Sequence, residues 1–268
     1  MKISSLVLPL SLLFVGPSGA ADIRLPVAPE VKPVEANGWT FTVAPYFWMA
    51  GLSGDLAQFG APTVSVDRSF SEIFNDLDFG AMAIGEARYG RFSVISDIMC
   101  TRISSGGVTP RGVIAASADV SSETFTGLFG AGYSVVDGDN ARLDVVGGVR
   151  IWSVDTDISL KGGILDGASF SDGATWVDGM AGLRGHYSIS PEVYLTGWGL
   201  IGAGEADVDW DVAGALGYRI NGRFSALLGY RALGVDYKND DGFVFDVVQQ
   251  GPIMACRCNL GHRISRRA

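Results

Sequence analysis

VDWDVAGALGYRINGRFSALLGYRALGVDY, residues Val208 to Tyr237, carries the pattern on which the fold turns. In its first half Trp210, Val212, Gly214, Leu216, Tyr218 and Ile220 share one face of a strand, while Asp209, Asp211, Ala213, Ala215, Gly217 and Arg219 share the other. Successive side chains of a strand point to opposite sides, so this half is apolar on one face and small or charged on the other. Asn221-Gly222 is a favoured hairpin dipeptide. After it Phe224, Ala226, Leu228, Tyr230 and Ala232 continue the apolar face, and Arg223, Ser225, Gly229 and Arg231 the polar one; Leu227 and Leu233 break the rule. The polar face of a soluble sandwich carries long solvated Lys and Glu. Here it carries Gly, Ala, Ser and a few Arg and Asp, which suits the crowded lumen of a small membrane barrel.

The same rhythm recurs along the chain. Trp39, Phe41, Val43, Pro45, Phe47 and Met49 alternate with Thr40, Thr42, Ala44, Tyr46, Trp48 and Ala50, although Pro45 removes a ladder donor and implies a bulge. Thr63 to Asp67 can be strand. Ser69 to Leu77 reads as a short amphipathic helix, with a capping box from Ser69 to Glu72 and Phe70, Ile73, Phe74 and Leu77 at helical spacing, placed at the barrel mouth or inside the lumen. Strands are then predicted over residues 79–89, 92–101, 124–135, 142–152, 175–187, 193–203 and 243–264, besides the opening hairpin. The segments 104–112 and 156–174, rich in Gly, Ser and Asp, are predicted as long loops, and the remaining turns are short.

Alternation of short and long connections is the pattern of an outer-membrane barrel, with brief periplasmic turns and longer external loops. The fold expected is all-β: a closed antiparallel up-and-down transmembrane β-barrel of about ten strands, with about eight or twelve as alternatives. Outward aromatics flank the short turns, and Tyr89, Phe92, Tyr133, Tyr187, Tyr218 and Phe224 are expected to form the periplasmic girdle.

The N-terminus supplies the compartment. Lys2, the apolar run Leu6 to Val15 and the small residues around Ala20-Ala21 read as a secretory signal peptide over 1–21. Residues 22–38, with Pro26, Pro29 and Pro33, read as a Pro-rich periplasmic linker, 39–264 as the barrel and 265–268 as a basic tail. Past the leader there is no apolar run of about 18 residues, which excludes helical membrane spans. The 268 residues carry a net charge of −9, which argues against nucleic acid as a partner.

Several stretches resemble small proteobacterial outer-membrane β-barrel proteins, in the style of OmpA-type and OmpW-type barrels. They are APYFWMAGLSGD (44–55), SFSEIFNDLDFGAM (69–82), EARYGRF (86–92), WVDGMAGLRGHY (176–187), LGYRALGVDY (228–237) and QGP (250–252). The resemblance covers nearly the whole mature chain. It implies residence in the Gram-negative outer membrane with both termini periplasmic, contact with outer-membrane lipids and lipopolysaccharide, and handling by the outer-membrane assembly machinery. It does not imply an activity, because barrels host pores, anchors and lipid enzymes alike. One departure is the ending CRCNLGHRISRRA, which puts Leu260 or Ile264 where such barrels end in an aromatic.

The inward charges Glu86, Arg88, Asp97, Asp144, Arg150, Asp178, Arg184, Asp209, Asp211, Arg219 and Arg231 are expected to pair, because unpaired charge in a narrow lumen is expensive. They would form either a polar plug or the selectivity rings of a narrow passive pore. A structural or passively conducting barrel is therefore the function expected, without catalysis and without a cofactor. A lipid-modifying enzyme is the alternative, with His186, Ser188 and Ser190 as its nearest approach to a catalytic set; a soluble secreted β-protein is another. Cys100, Cys256, Cys258 and His262 supply zinc-like ligand types without motif spacing, so no metal is expected there and the thiols are read as free. Glu205, Asp207, Asp209 and Asp211 alternate on one face near a loop and offer oxygen ligands for Ca²⁺ or Mg²⁺.

Overall fold

The computed structural model describes residues 38–108 and 116–260. The proposed signal peptide, nearly all of the linker, the centre of the first long loop, His262 and the basic tail lie outside the described residues. The elements are β1 (Thr40–Trp48), β2 (Gly51–Ala57), β3 (Val64–Arg68), α1 (Phe70–Asn75), β4 (Leu77–Tyr89), β5 (Phe92–Val108), β6 (Ser117–Asp137), β7 (Ala141–Lys161), β8 (Ser169–Ser188), β9 (Val193–Gly204), β10 (Val208–Arg219), β11 (Phe224–Lys238) and β12 (Val244–Asn259).

Strands β4 to β12 pair antiparallel in chain order, and β1 closes the sheet by pairing with both β4 and β12. β2 continues β1 along β12 without a change of register, as Trp48 opposes Ile253 and Gly51 opposes Gln250. The two therefore share one wall position, and the barrel has ten. At the junction the backbones press together: a Cβ on Gly251 would lie 2.0 Å from the Met49 carbonyl oxygen, so only glycine fits there.

The period-two phase comes out on the expected sides. Val212, Leu216, Tyr218, Leu228 and Tyr230 are exposed on the outer face, whereas Asp209, Asp211, Arg231 and Leu233 are buried inside. An outer surface this apolar would aggregate in water, which sets aside the soluble secreted reading. The apolar band on β5 runs from Phe92 to Cys100 and ends at the Arg102–Glu123 ion pair between β5 and β6. That length matches the nine to eleven residues a tilted strand needs to cross a bilayer.

Two expectations are corrected by strand length. The segment 156–174 is a hairpin rather than a loop: β7 runs to Lys161, β8 starts at Ser169, and Gly162, Gly163 and Gly167 take positive φ in the tight turn. Likewise β5 runs to Val108, and β6 begins at Ser117 rather than near Thr124. These extensions stand above the apolar band, where both faces of a strand can be polar and its composition looks like loop. β12 ends at Asn259, short of Ile264.

The Asn221-Gly222 connection also differs from a two-residue turn. Neither residue has positive φ, and β10 ends at Arg219 while β11 starts at Phe224. Asn221 Oδ1 instead accepts from the amides of Arg223 and Phe224, each at 2.9 Å, so its side chain holds a four-residue loop. The helix does form, with the full capping box between Ser69 and Glu72, but it is six residues long and has no buried residue.

Candidate functional site: the lumen

Inward positions at mid-height bring charges together from strands far apart in sequence. Arg231 on β11 is the hub: its Nη2 lies 2.6 Å from Asp97 Oδ2 on β5 and 2.7 Å from Asp211 Oδ2 on β10. Its Nη1 donates to the Tyr46 hydroxyl at 2.9 Å, and that hydroxyl donates to Asp97 Oδ1 at 2.8 Å. Arg150 on β7 bridges Asp209 at 2.5 Å and Asp211 at 2.7 Å. Two indoles complete the layer, with Trp152 Nε1 donating to Asp209 and Trp198 Nε1 to Asp211, both at 2.9 Å. Arg231 also lies over the Trp48 ring at 5.1 Å. Each charge is thus both neutralised and hydrogen-bonded, the condition under which buried ions persist.

Nearer the short-turn rim lies a second charged layer. Arg88 pairs with Glu86 at 2.8 Å and with Asp144, and donates to Ser134 Oγ at 2.8 Å. Arg184 reaches Glu86 at 3.0 Å, and Arg142 stands 3.8 Å from Asp144. A buried apolar cluster of Ile95, Leu128, Val146, Met180 and Leu200 packs inside the barrel as well.

Toward the tall rim the lumen is filled by aromatics. Trp176 stacks between Trp152 at 5.7 Å and Tyr237 at 4.1 Å, and Phe245 tilts against both indoles. Trp152 and Trp176 have no exposed surface. Small barrels fill their interior with side chains, and this one does so with alternating ionic and apolar layers.

Of the eleven inward charges named from the sequence, nine belong to these two layers. Asp178 and Arg219 do not. Asp178 Oδ1 accepts from the Ala206 amide at 2.9 Å and so fixes the turn between β9 and β10. Arg219 sits at the short-turn rim, where its Nη2 donates to Ser188 Oγ at 2.8 Å and its Nη1 to the Pro191 carbonyl at 2.8 Å. Sequence reasoning missed Arg142 as a charge partner, the indole donors Trp152 and Trp198, and the Tyr46 hydroxyl. All four stand at inward parity, which was the available signal.

The six girdle aromatics are all exposed on the outer face beside short turns, and Phe92 and Tyr133 pack at 5.0 Å. Trp39 extends them, 5.6 Å from Tyr89. Asp209 and Asp211, read from the sequence as half of a cation site, spend their oxygens on Arg150 and Arg231 instead. Among the described residues no group of three or more His, Cys, Asp and Glu is arranged to hold a metal ion. His186 Nε2 stands 3.5 Å from Ser188 Oγ, and its Nδ1 has no hydrogen-bond partner among the described residues. A nucleophile-activating His needs a third group to orient it.

No protein-family model and no curated protein sequence matches the chain. Solved structures do match in fold. The outer membrane protease OmpT from Escherichia coli superposes with a TM-score of 0.50 at 11% identity, covering 84% of this chain and 98% of that one. Ail, the attachment invasion locus protein of Yersinia pestis, aligns over 83% of this chain and 98% of its own at 13% identity, with a TM-score of 0.36. The neisserial surface protein NspA aligns over 82% and 98% at 11% identity, with a TM-score of 0.33. Identity this low speaks to architecture alone, and the architecture is that of a Gram-negative outer-membrane β-barrel.

Proposed function

We propose that this protein is a non-enzymatic structural barrel of the outer membrane whose lumen is sealed, with its short turns and both termini in the periplasm and its tall hairpins outside. The observation that carries this reading is the Arg150–Asp211–Arg231–Asp97 layer, capped by the Trp152–Trp176–Tyr237 stack. Ions crossing the lumen would have to break buried charge pairs and displace three stacked rings. The girdle on the short-turn rim and the polar, extended strands at the other favour the stated orientation.

The test is single-channel recording of the purified, refolded protein in planar phosphatidylcholine bilayers. Sealed membranes at all applied voltages are expected; steady conductance steps from the unmodified protein would overturn the sealed reading. Orientation is checked separately by protease treatment of intact cells, which should cut within the hairpin around Gly162–Gly167 and spare the Ser188–Val193 turn.

A further inference from the structure

Along most of the wall, pairing runs the full height of the apolar band. Between β1 and β4 it stops early, at Pro45 opposite Ala83. The same register would next oppose Tyr46 to Met82 and Trp48 to Gly80, but those pairs are not made. Tyr46 to Trp48 keep only their β12 partners, and Gly80 to Met82 only their β5 partners. Pro45 has no N–H to extend the ladder. Above it β3 folds back along the free edge of β2 and, among the described residues, has no second strand beside it.

A cavity of about 210 Å³ occupies this seam. Its lining includes the inward side chains of Tyr46, Trp48, Met82 and Phe245, and also the outward ring of Phe47 and Phe74 of α1. A space touched by residues of both wall faces is a passage through the wall. Downward it is floored by Tyr46 and Trp48, whose rings lie against the Arg231 hub, and inward it continues along Thr101 and Thr124 of the lumen wall. At its outer end Phe47 meets Phe70 at 5.9 Å and Phe74 at 6.2 Å, both edge-on.

Height decides what can enter. Ala81 and Ala83 are paired with Cys100 and Ile98, within the apolar band and below the Arg102–Glu123 border. Phe47 at the mouth stands level with that last apolar row, while Leu77 and Ile103 of the lining lie just past the Arg102–Glu123 border, so the slot opens at the upper edge of the hydrocarbon. In soluble proteins an apolar cavity of roughly 150 Å³ stays dry and admits benzene; beside a bilayer the nearest apolar molecules are lipid tails. The cover is loosely built, since α1 buries none of its residues and Phe74 remains half exposed.

We infer that the seam is a lateral binding slot for one acyl chain of a membrane lipid, with α1 as its movable cover. The slot does not depend on whether the lumen conducts, and its mouth lies on the tall-hairpin side of the bilayer. The full-length protein is folded into vesicles of phosphatidylcholine doped with a phosphatidylcholine carrying a diazirine near the end of one chain, irradiated, and mapped by mass spectrometry. Label is expected on inward Met82 and Trp48 as well as on outward residues such as Leu228. Gly80→Phe, which puts a ring inside the slot, is expected to lose the inward label while keeping the outward label and heat-modifiable migration; Phe74→Ala is expected to raise it. Label confined to outward residues overturns the inference. So does inward label that appears only with an added water-soluble diazirine fatty acid.

Discussion

The wall between β6 and β7 and the wall between β1 and β4 use the same kinds of residue and close in different ways. The first ladder runs from Ser117–Lys161 to Asp137–Arg142, with the facing inward glycines Gly130 and Gly148 letting the strands approach. The second runs only from Thr40–Arg88 to Pro45–Ala83, and above it the two sides are spanned by phenylalanine rings. A bilayer tolerates unpaired backbone only where protein covers it. Hydrogen bonds thus make one wall permanent, while packing makes the other one openable.

Arg231 ties the seam to the rest of the barrel, since it holds Tyr46 of the seam strand together with Asp97 on β5 and Asp211 on β10, and Asp211 in turn holds Arg150 of β7. Arg231→Met leaves two buried carboxylates short of a partner and is expected to cost about 3–5 kcal/mol, read from urea unfolding of protein folded into vesicles. A loss below about 1 kcal/mol would mean that the closed wall needs no tie to the seam. Trp176→Ala empties the centre of the aromatic stack and is expected to cost about 3 kcal/mol in the same measurement.

Hydrogen exchange sharpens the contrast directly. Amides over Gly80–Met82 and Tyr46–Trp48 are expected to exchange well before those of Leu128–Gly132, because local opening follows the number of barriers to it. Equal protection would erase the distinction between the walls. Smaller still is the effect of pH on the cover. The Ser69 hydroxyl and amide hold the Glu72 carboxyl below the ordinary glutamate range. A depressed folded value means the cap is intact above the unfolded value and is lost as pH falls through the folded one. Exchange of α1 amides should therefore rise in acid, below the ordinary glutamate range, and Ser69→Ala should remove that dependence. Least of all, Arg102→Ala should change stability by under about 1 kcal/mol, since the pair with Glu123 is exposed.

How much of this was legible in the sequence follows from which residues were constrained on both faces. Within the apolar band, parity at Val212, Asp211 and Arg231 told lipid side from lumen side, and it fixed the closed barrel. Above the band the signal failed: Ser153, Asp155 and Asp157 alternate with Val154, Thr156 and Ile158, but here the outer face is the polar one and the inner face is buried, the reverse of the band below. Inward charge was visible from parity, whereas the choice of partner was not. Asp178 and Asp209 stand at the same parity, yet one holds a backbone amide and the other an arginine. Pro45 marked an irregularity, but a gap in the wall depends on where β3 returns, which is set by tertiary pairing.

The Arg231 layer draws on six strands, and its bond to Tyr46 spans 185 residues. Arg231 and Asp211 can pair within the β10–β11 hairpin, but Tyr46 and Asp97 reach Arg231 only from strands far away in sequence. The ion layer is therefore complete only once β1 meets β12, which ties closure of the wall to closure of the interior.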